Sequence, residues 1–118
     1  MSSTTTATAA EDGSQVHWVD THDRRKLFAK VWTPAPASKA AVVMLHGFGE
    51  HSERYAHVAR AFAAAGLTAI AFDQRGHGHT KINARGDAGA EASDINHDLE
   101  AVIAALSDSG VPLFIVLF

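Results

Sequence analysis

Hydrophobic and polar positions change rhythm partway along the chain. Val16 and Trp18 alternate with polar neighbours over residues 15–19, and residues 26–33 put Leu27, Ala29 and Val31 on one face and Phe28 and Trp32 on the other. Period-two alternation on both sides of the turn-forming Asp20-Thr21-His22-Asp23 predicts an antiparallel hairpin at a sheet edge. Pro34-Ala35-Pro36-Ala37-Ser38 cannot continue a strand and reads as a linker loop. From Ala40 the alternation gives way to a continuous apolar run at 40–45, and residues 67–72 and 112–118 also read as buried strands, as expected of parallel strands covered on both faces. Between them lie two helical patterns. Tyr55, Val58, Ala59, Phe62 and Ala65 recur at helical spacing over 53–65 and stop at Gly66. Ile95, Leu99, Val102, Ile103 and Leu106 form a second stripe, with Ser93 as N-cap, Asp94 in the first turn and Asp108-Ser109-Gly110 as the break. Residues 77–92 read as a glycine-rich polar loop. The order is a hairpin followed by β-α-β-α-β, an α/β class with right-handed crossovers.

Composition narrows the function classes. The chain has 118 residues, 47% hydrophobic and 19% charged, a formal charge of −3 and no cysteine. That is one domain or part of one, with no basic footprint for nucleic acid, no polybasic membrane anchor, no disulfide framework and no thiolate nucleophile. The Ser/Thr/Ala-rich start lacks the charged and apolar regions of a secretory signal, and no apolar run is long enough to span a bilayer. Residues 1–14 are expected to be a disordered tail and 15–118 a partial domain, in a cytoplasmic protein in solution or peripheral to membranes or lipid droplets.

Two glycine-punctuated loops follow buried strands. In His46-Gly47-Phe48-Gly49-Glu50-His51, Gly47 and Gly49 permit the close turns that let the Phe48 N–H point into a crevice beyond a strand's carboxyl end, where it could hold an oxyanion. The same tetrapeptide also serves as a plain tight connection. Asp73-Gln74-Arg75-Gly76-His77-Gly78, after the next strand, reads as a shaping loop in which Asp73 and Arg75 could pair locally. Dinucleotide binding is disfavoured, because Ser52 and Lys81 stand where the third glycine of each loop would be, and no P-loop occurs. His77 and His79 lack metal-ligand spacing, so no metal and no cofactor are expected. Arg85-Gly86-Asp87 reads as a coincidence of a polar loop. No Gly-x-Ser-x-Gly occurs, and Ser107 and Ser109 sit before the last strand, at the wrong end of the sheet for a nucleophile.

With both loops in place, residues 15–116 resemble the N-terminal half of a monoacylglycerol lipase-like serine hydrolase, in the serine aminopeptidase-like branch of the α/β-hydrolases. The resemblance rests on VVMLHGFGEHSERY at 42–55, AFAAAGLTAIAFDQRGHGHT at 61–80 and the helix and strand over 94–116. It implies an α/β-hydrolase fold truncated before the nucleophile elbow. The Phe48 N–H would be one oxyanion donor, with Gly47 and Gly49 beside it. His46, Glu50 and His51 would stabilise the loop, and Asp73, Arg75, Gly76, His77 and Gly78 would support the site's floor. Pro112-Leu113-Phe114-Ile115-Val116 matches the strand that leads into Gly-His-Ser-Met-Gly in such enzymes, but Leu117-Phe118 follow here, and Thr80 stands where Ser is more usual. The triad, the second donor and the lipid-binding cap would then lie beyond Phe118, so no catalytic residue is expected among these 118. The expected origin of that ending is a truncated gene model, a frameshift or a read-through intron. The full-length parent would hydrolyse carboxylic esters of the acylglycerol type, with a lipid or small ester as substrate and no nucleic-acid partner. The chain itself is expected to be inactive and to self-associate through an exposed sheet edge. The alternative is a non-catalytic remnant or interaction fragment.

Overall fold

Alternating and continuous apolar runs each become strands. The computed structural model describes residues 8–35, 37–47, 49–80, 92–107 and 110–118. The strands are β1 (Thr8–Ala9), β2 (Gln15–Asp20), β3 (Lys26–Trp32), β4 (Ala40–Leu45), β5 (Leu67–Phe72) and β6 (Leu113–Leu117). A single 3₁₀ turn, Ser52–Tyr55, leads into helix α1 (Ala56–Ala64), and α2 spans Ala92–Leu106. They form one six-stranded sheet in the order β1-β2-β3-β5-β4-β6. The β2–β3 hairpin is antiparallel, with Trp18 opposite Phe28 and their rings meeting edge-on at 5.3 Å. β3 runs antiparallel to β5, and β4 lies parallel between β5 and β6.

The chain steps from β4 to β5 in one direction along the sheet and then crosses back over β4 to reach β6. Two right-handed crossovers of opposite direction place their helices on opposite faces. Accordingly α1 covers Trp32, Val42, Met44, Ala69 and Ala71 through Ala59, whereas α2 covers Leu27, Val43, Ile70 and Phe72 through Val102. The reversal leaves a crevice at the carboxyl ends of β4 and β5, where both glycine loops emerge.

Three expectations need correction. Residues 8–14 are not tail: β1 pairs antiparallel with β2, setting Thr8 opposite Val16, so the hairpin is not the outermost part of the sheet. An ion pair adds to the backbone pairing. Lys30 is buried within β3, and its Nζ donates to Asp12 at 2.7 Å and to Glu53 at 2.9 Å. Burial opposes the charge on Asp12, yet the Lys30 ammonium and the Ser14 donors hold its carboxyl at about 2. Residues 1–7 lie outside the described residues. The first helix departs from the expected 53–65, opening as the 3₁₀ turn and closing at Ala64, two residues before Gly66, whose φ of +93° glycine alone adopts easily. Helix α2 spans Ala92–Leu106, so Ser93, expected just before the helix, falls within its range, while Asp94 sits in the first turn as expected. The 77–92 loop is described only as far as Thr80. Arg85-Gly86-Asp87, Asp108 and Ser109 lie outside the described residues.

Candidate oxyanion loop and its supporting shell

β4 delivers His46 directly into the first loop, where backbone amides are tied down one after another. The Gly47 N–H donates to Glu50 Oε1 at 3.1 Å, and the Glu50 N–H donates back to the Gly47 carbonyl at 3.0 Å. The same Glu50 oxygen accepts the Tyr55 hydroxyl, and Oε2 pairs with Arg54 one helical turn on, at 3.1 Å. The Tyr55 hydroxyl and the Gly47 N–H hold the Glu50 carboxyl below the usual range, and the carboxylate in turn pushes the Tyr55 phenol up. Tyr55 also stacks on Phe118, whose N–H donates to the Leu45 carbonyl at 3.0 Å.

Two histidines join this loop to the next. The Gln74 N–H donates to His46 Nε2 at 2.9 Å, which assigns the imidazole proton to Nδ1, and Nδ1–H donates to the Gly47 carbonyl at 2.8 Å. The Gln74 side-chain amide donates to the His46 carbonyl at 2.7 Å. Likewise the Gly49 N–H donates to His77 Nε2 at 2.9 Å, and His77 Nδ1–H donates to the Arg75 carbonyl at 2.9 Å. Burial is the largest influence on His46 and holds its imidazole below the ordinary range, with the Gly47 carbonyl pulling the other way.

The second loop is built around two buried charges that do not pair locally, contrary to expectation. Asp73, fully buried, accepts the Ser52 N–H on Oδ1 at 2.6 Å and the His79 N–H on Oδ2 at 2.9 Å. Gly78 lies against it with φ +48°, where a Cβ would come within 2.2 Å of Asp73 Oδ2. Arg75 turns away from Asp73. Its Nε and one Nη reach Asp98 of α2 at 2.7 and 2.9 Å, and both Nη groups reach Asp23 of the hairpin turn at 2.6 and 2.7 Å. The Arg75 guanidinium holds the Asp23 carboxyl well below the usual carboxylate range. Thr80 completes the floor: its Oγ1 accepts the Phe28 N–H at 2.9 Å and donates to the Asp73 carbonyl at 2.8 Å.

The structure thus brings together His46, Gly47, Gly49, Glu50, Asp73, Arg75, His77 and Gly78, with Gly76 turning the loop at φ +77°. His51 is exposed, and its carbonyl accepts the Arg54 N–H at 3.3 Å. Phe48 lies outside the described residues. Sequence reasoning missed Tyr55, Asp23, Asp98 and Ser52. Tyr55 fell on a helical apolar stripe, and the others bind across gaps in sequence that no local pattern spans. A crevice of about 390 Å³ opens beside the loops, walled by Leu45, Phe72 and Leu117 from the strand ends, Ile95 from α2, and His46 and Gln74. Among the described residues, His22, Asp23 and Asp94 bring metal-ligating atoms within 4.8 Å of one another. Both oxygens of Asp23 are already engaged by Arg75, however.

Strand order 1-2-3-5-4-6, helices on both faces and two glycine loops at the switch point define an α/β-hydrolase sheet. The chain belongs to the serine aminopeptidase (S33) family, whose model matches residues 36–116, and within it is monoglyceride lipase-like. It is 52% identical over 50 residues to the monoacylglycerol lipase of Mycolicibacterium smegmatis, covering 42% of this chain and 18% of that one. With the human monoglyceride lipase it shares 39% over 59 residues, 50% of this chain and 20% of the relative. A thermostable carboxyl esterase from Bacillus coagulans, solved with glycerol, superposes with a TM-score of 0.68 at 29% identity, over 87% of this chain and 35% of that one. The matched stretches therefore span only about a fifth of the length of the two lipases. Among the described residues, no helix is long and apolar enough to cross a membrane.

Proposed function

We propose that these 118 residues form the oxyanion-loop portion of a serine carboxylic ester hydrolase acting on acylglycerol-type lipid esters. The nucleophile, acid and base lie outside this stretch, and on its own it turns over no ester. The observation that carries the reading is the occupancy of the loop's amides: Gly47 N–H is bound by Glu50, Gly49 N–H by His77 and Glu50 N–H by Gly47. The family resemblance gives the oxyanion donor role to the Phe48 N–H, and the amides of its neighbours Gly47 and Gly49 are both bound within the site. Lipid esters follow from the activities named for the relatives, two of which are acylglycerol lipases.

The test is a chimera joining residues 15–116 to the Gly-x-Ser-x-Gly segment and remainder of a monoglyceride lipase. It should hydrolyse monoacylglycerol. Phe48→Pro, which removes the N–H, should lower kcat by about two to three orders of magnitude, whereas Phe48→Ala retains most of it. The 118-residue chain should give no burst from p-nitrophenyl butyrate. A burst, or a folded Phe48→Pro chimera at full rate, overturns the reading.

A second reading concerns the chain as it stands. β6 exposes Phe114 at 57% and Leu117 at 72%, and pairs on one side only among the described residues. Two copies pair through this strand, an interaction that sedimentation measures directly, and a monomer at all concentrations refutes it.

A further inference from the structure

His46 and His77 are the joints between the two loops, and their bonding fixes which nitrogen must stay bare. At each ring Nε2 accepts a backbone N–H from the opposite loop, Gln74 N–H at 2.9 Å on His46 and Gly49 N–H at 2.9 Å on His77. At each ring Nδ1 faces a carbonyl of the neighbouring backbone, Gly47 at 2.8 Å and Arg75 at 2.9 Å. A carbonyl accepts only, so Nδ1 must carry the proton, and an N–H donates only, so Nε2 must not. The two bonds run in opposite directions between the loops. One histidine of the first loop accepts from the second, and one histidine of the second accepts from the first. A protonated imidazole has no lone pair on either nitrogen, so charging a ring turns its attractive Nε2 contact into two N–H groups facing each other.

We propose that His46 and His77 are positioning residues: as neutral imidazoles they clasp the glycine loop to the 73–78 loop, and protonation at Nε2 opens the clasp. This rests on the reading of the glycine loop as an oxyanion loop, since Gly49 is the neighbour of the proposed donor. Its consequence there is a loss of donor alignment on acidification that is distinct from titration of any catalytic base. Glu50 from the first loop and Asp73 from the second act on His46, and Arg75 from the second loop and Asp98 from α2 line the same crevice as both rings. At His46 the Asp73 and Glu50 carboxylates favour protonation, while Arg75 is neutralised by Asp23 and Asp98. The rings lie 4.8 Å apart, so a charge on His77 disfavours charging His46. For His46 burial adds to this, keeping the ring neutral in the folded state.

The test needs neither substrate nor nucleophile, so its failure is separate from failure of the esterase reading. On the full 118-residue chain, nitrogen-15 imidazole spectra at neutral pH should show Nδ1 protonated and Nε2 bare on both rings. Hydrogen exchange at Gly49, corrected for intrinsic rate, should accelerate about five-fold as His77 takes up its proton, the worth of one net hydrogen bond. Gln74 should follow His46 in the same way. His77→Gln places a non-titrating oxygen near the position of Nε2, so Gly49 should stay protected and lose its pH dependence while Gln74 keeps its own. An Nε2-protonated tautomer on either ring overturns the proposal. So does Gly49 exchange that ignores His77 titration, or a His77→Gln chain that titrates like the parent.

Discussion

Arg75 offers the sharpest test of how the site is held. Its guanidinium is 5% exposed and makes four hydrogen bonds, two to Asp98 and two to Asp23, between 2.6 and 2.9 Å. It thereby joins three elements that are remote in sequence: the hairpin turn, the second glycine loop and α2. Replacing Arg75 by Met preserves length and much of the packing but leaves the Asp98 carboxylate, 4% exposed, without its counter-charge. Breaking a buried ion pair from one side costs about 3–5 kcal/mol, because the remaining charge has neither water nor partner. For a domain of ordinary stability that is a large fraction of the whole, and in urea it moves the midpoint down by about 2 M.

The pH dependence has a definite sign. In the native chain Asp23 titrates well below the usual carboxylate range, chiefly because Arg75 donates to it. A carboxyl depressed on folding contributes stability that is complete above its unfolded value and is lost as pH falls through the folded one. The native chain therefore loses this contribution on acidification. Without the guanidinium, a proton is the counter-charge left to the carboxylates, so the variant suffers less on acidification than the parent. The gap between the two should be widest at about pH 7 and narrow below about pH 4. Urea melts at both pH values measure it, and Arg75→Met combined with Asp98→Leu should be more stable than Arg75→Met alone. A penalty under about 1 kcal/mol, or a gap that does not narrow with acid, refutes the account.

Gly78→Ala should cost about 3 kcal/mol, since its Cβ would fall 2.2 Å from an Asp73 carboxylate that Ser52 and His79 hold in place; a denaturation midpoint within error of the parent contradicts it. Thr80→Val keeps the shape but deprives the Phe28 N–H of its acceptor, and a loss of about 1–3 kcal/mol with faster exchange at Phe28 is the expected result.

Much of the sheet was legible because burial writes itself into period and run length. Val42, Val43 and Met44 form an unbroken apolar run because the central strand has a helix on each face. What was illegible depends on pairing at a distance. Asp12 is an ordinary acid in a polar stretch until Lys30, 18 positions on, is buried beneath it. The glycine loop was readable as a loop, since backbone geometry demands glycine locally. Its fixings were not. Arg75 invited pairing with Asp73, two residues away, but its partners lie 52 and 23 positions off, placed by the hairpin and the crossover. Tyr55 matched a helical stripe and does pack on that face, but its hydroxyl serves Glu50. Apolar patterning registers a side chain's body and is blind to its polar tip.

The placement of buried polar groups argues that the loops are more than chain reversals. His46, Ser52, Asp73, Arg75, Thr80 and Asp98 are all buried around the two glycine loops at one end of the sheet. A connection that only turned the chain could leave its amides to water at no cost, and polar burial on this scale is unfavourable unless every group finds a partner. Here nearly all do, with the Ser52 hydroxyl an exception among the described residues. Glycine loses more conformational freedom on ordering than any other residue, so a rigid glycine loop must be fixed from outside. Glu50 and His77 do this at the Gly47 and Gly49 amides, Gln74 anchors His46, and Arg75 anchors the whole second loop to α2. On the proposed oxyanion reading, fixing the flanking amides so firmly has a purpose, because a donor that reorients during the reaction stabilises a developing charge far less.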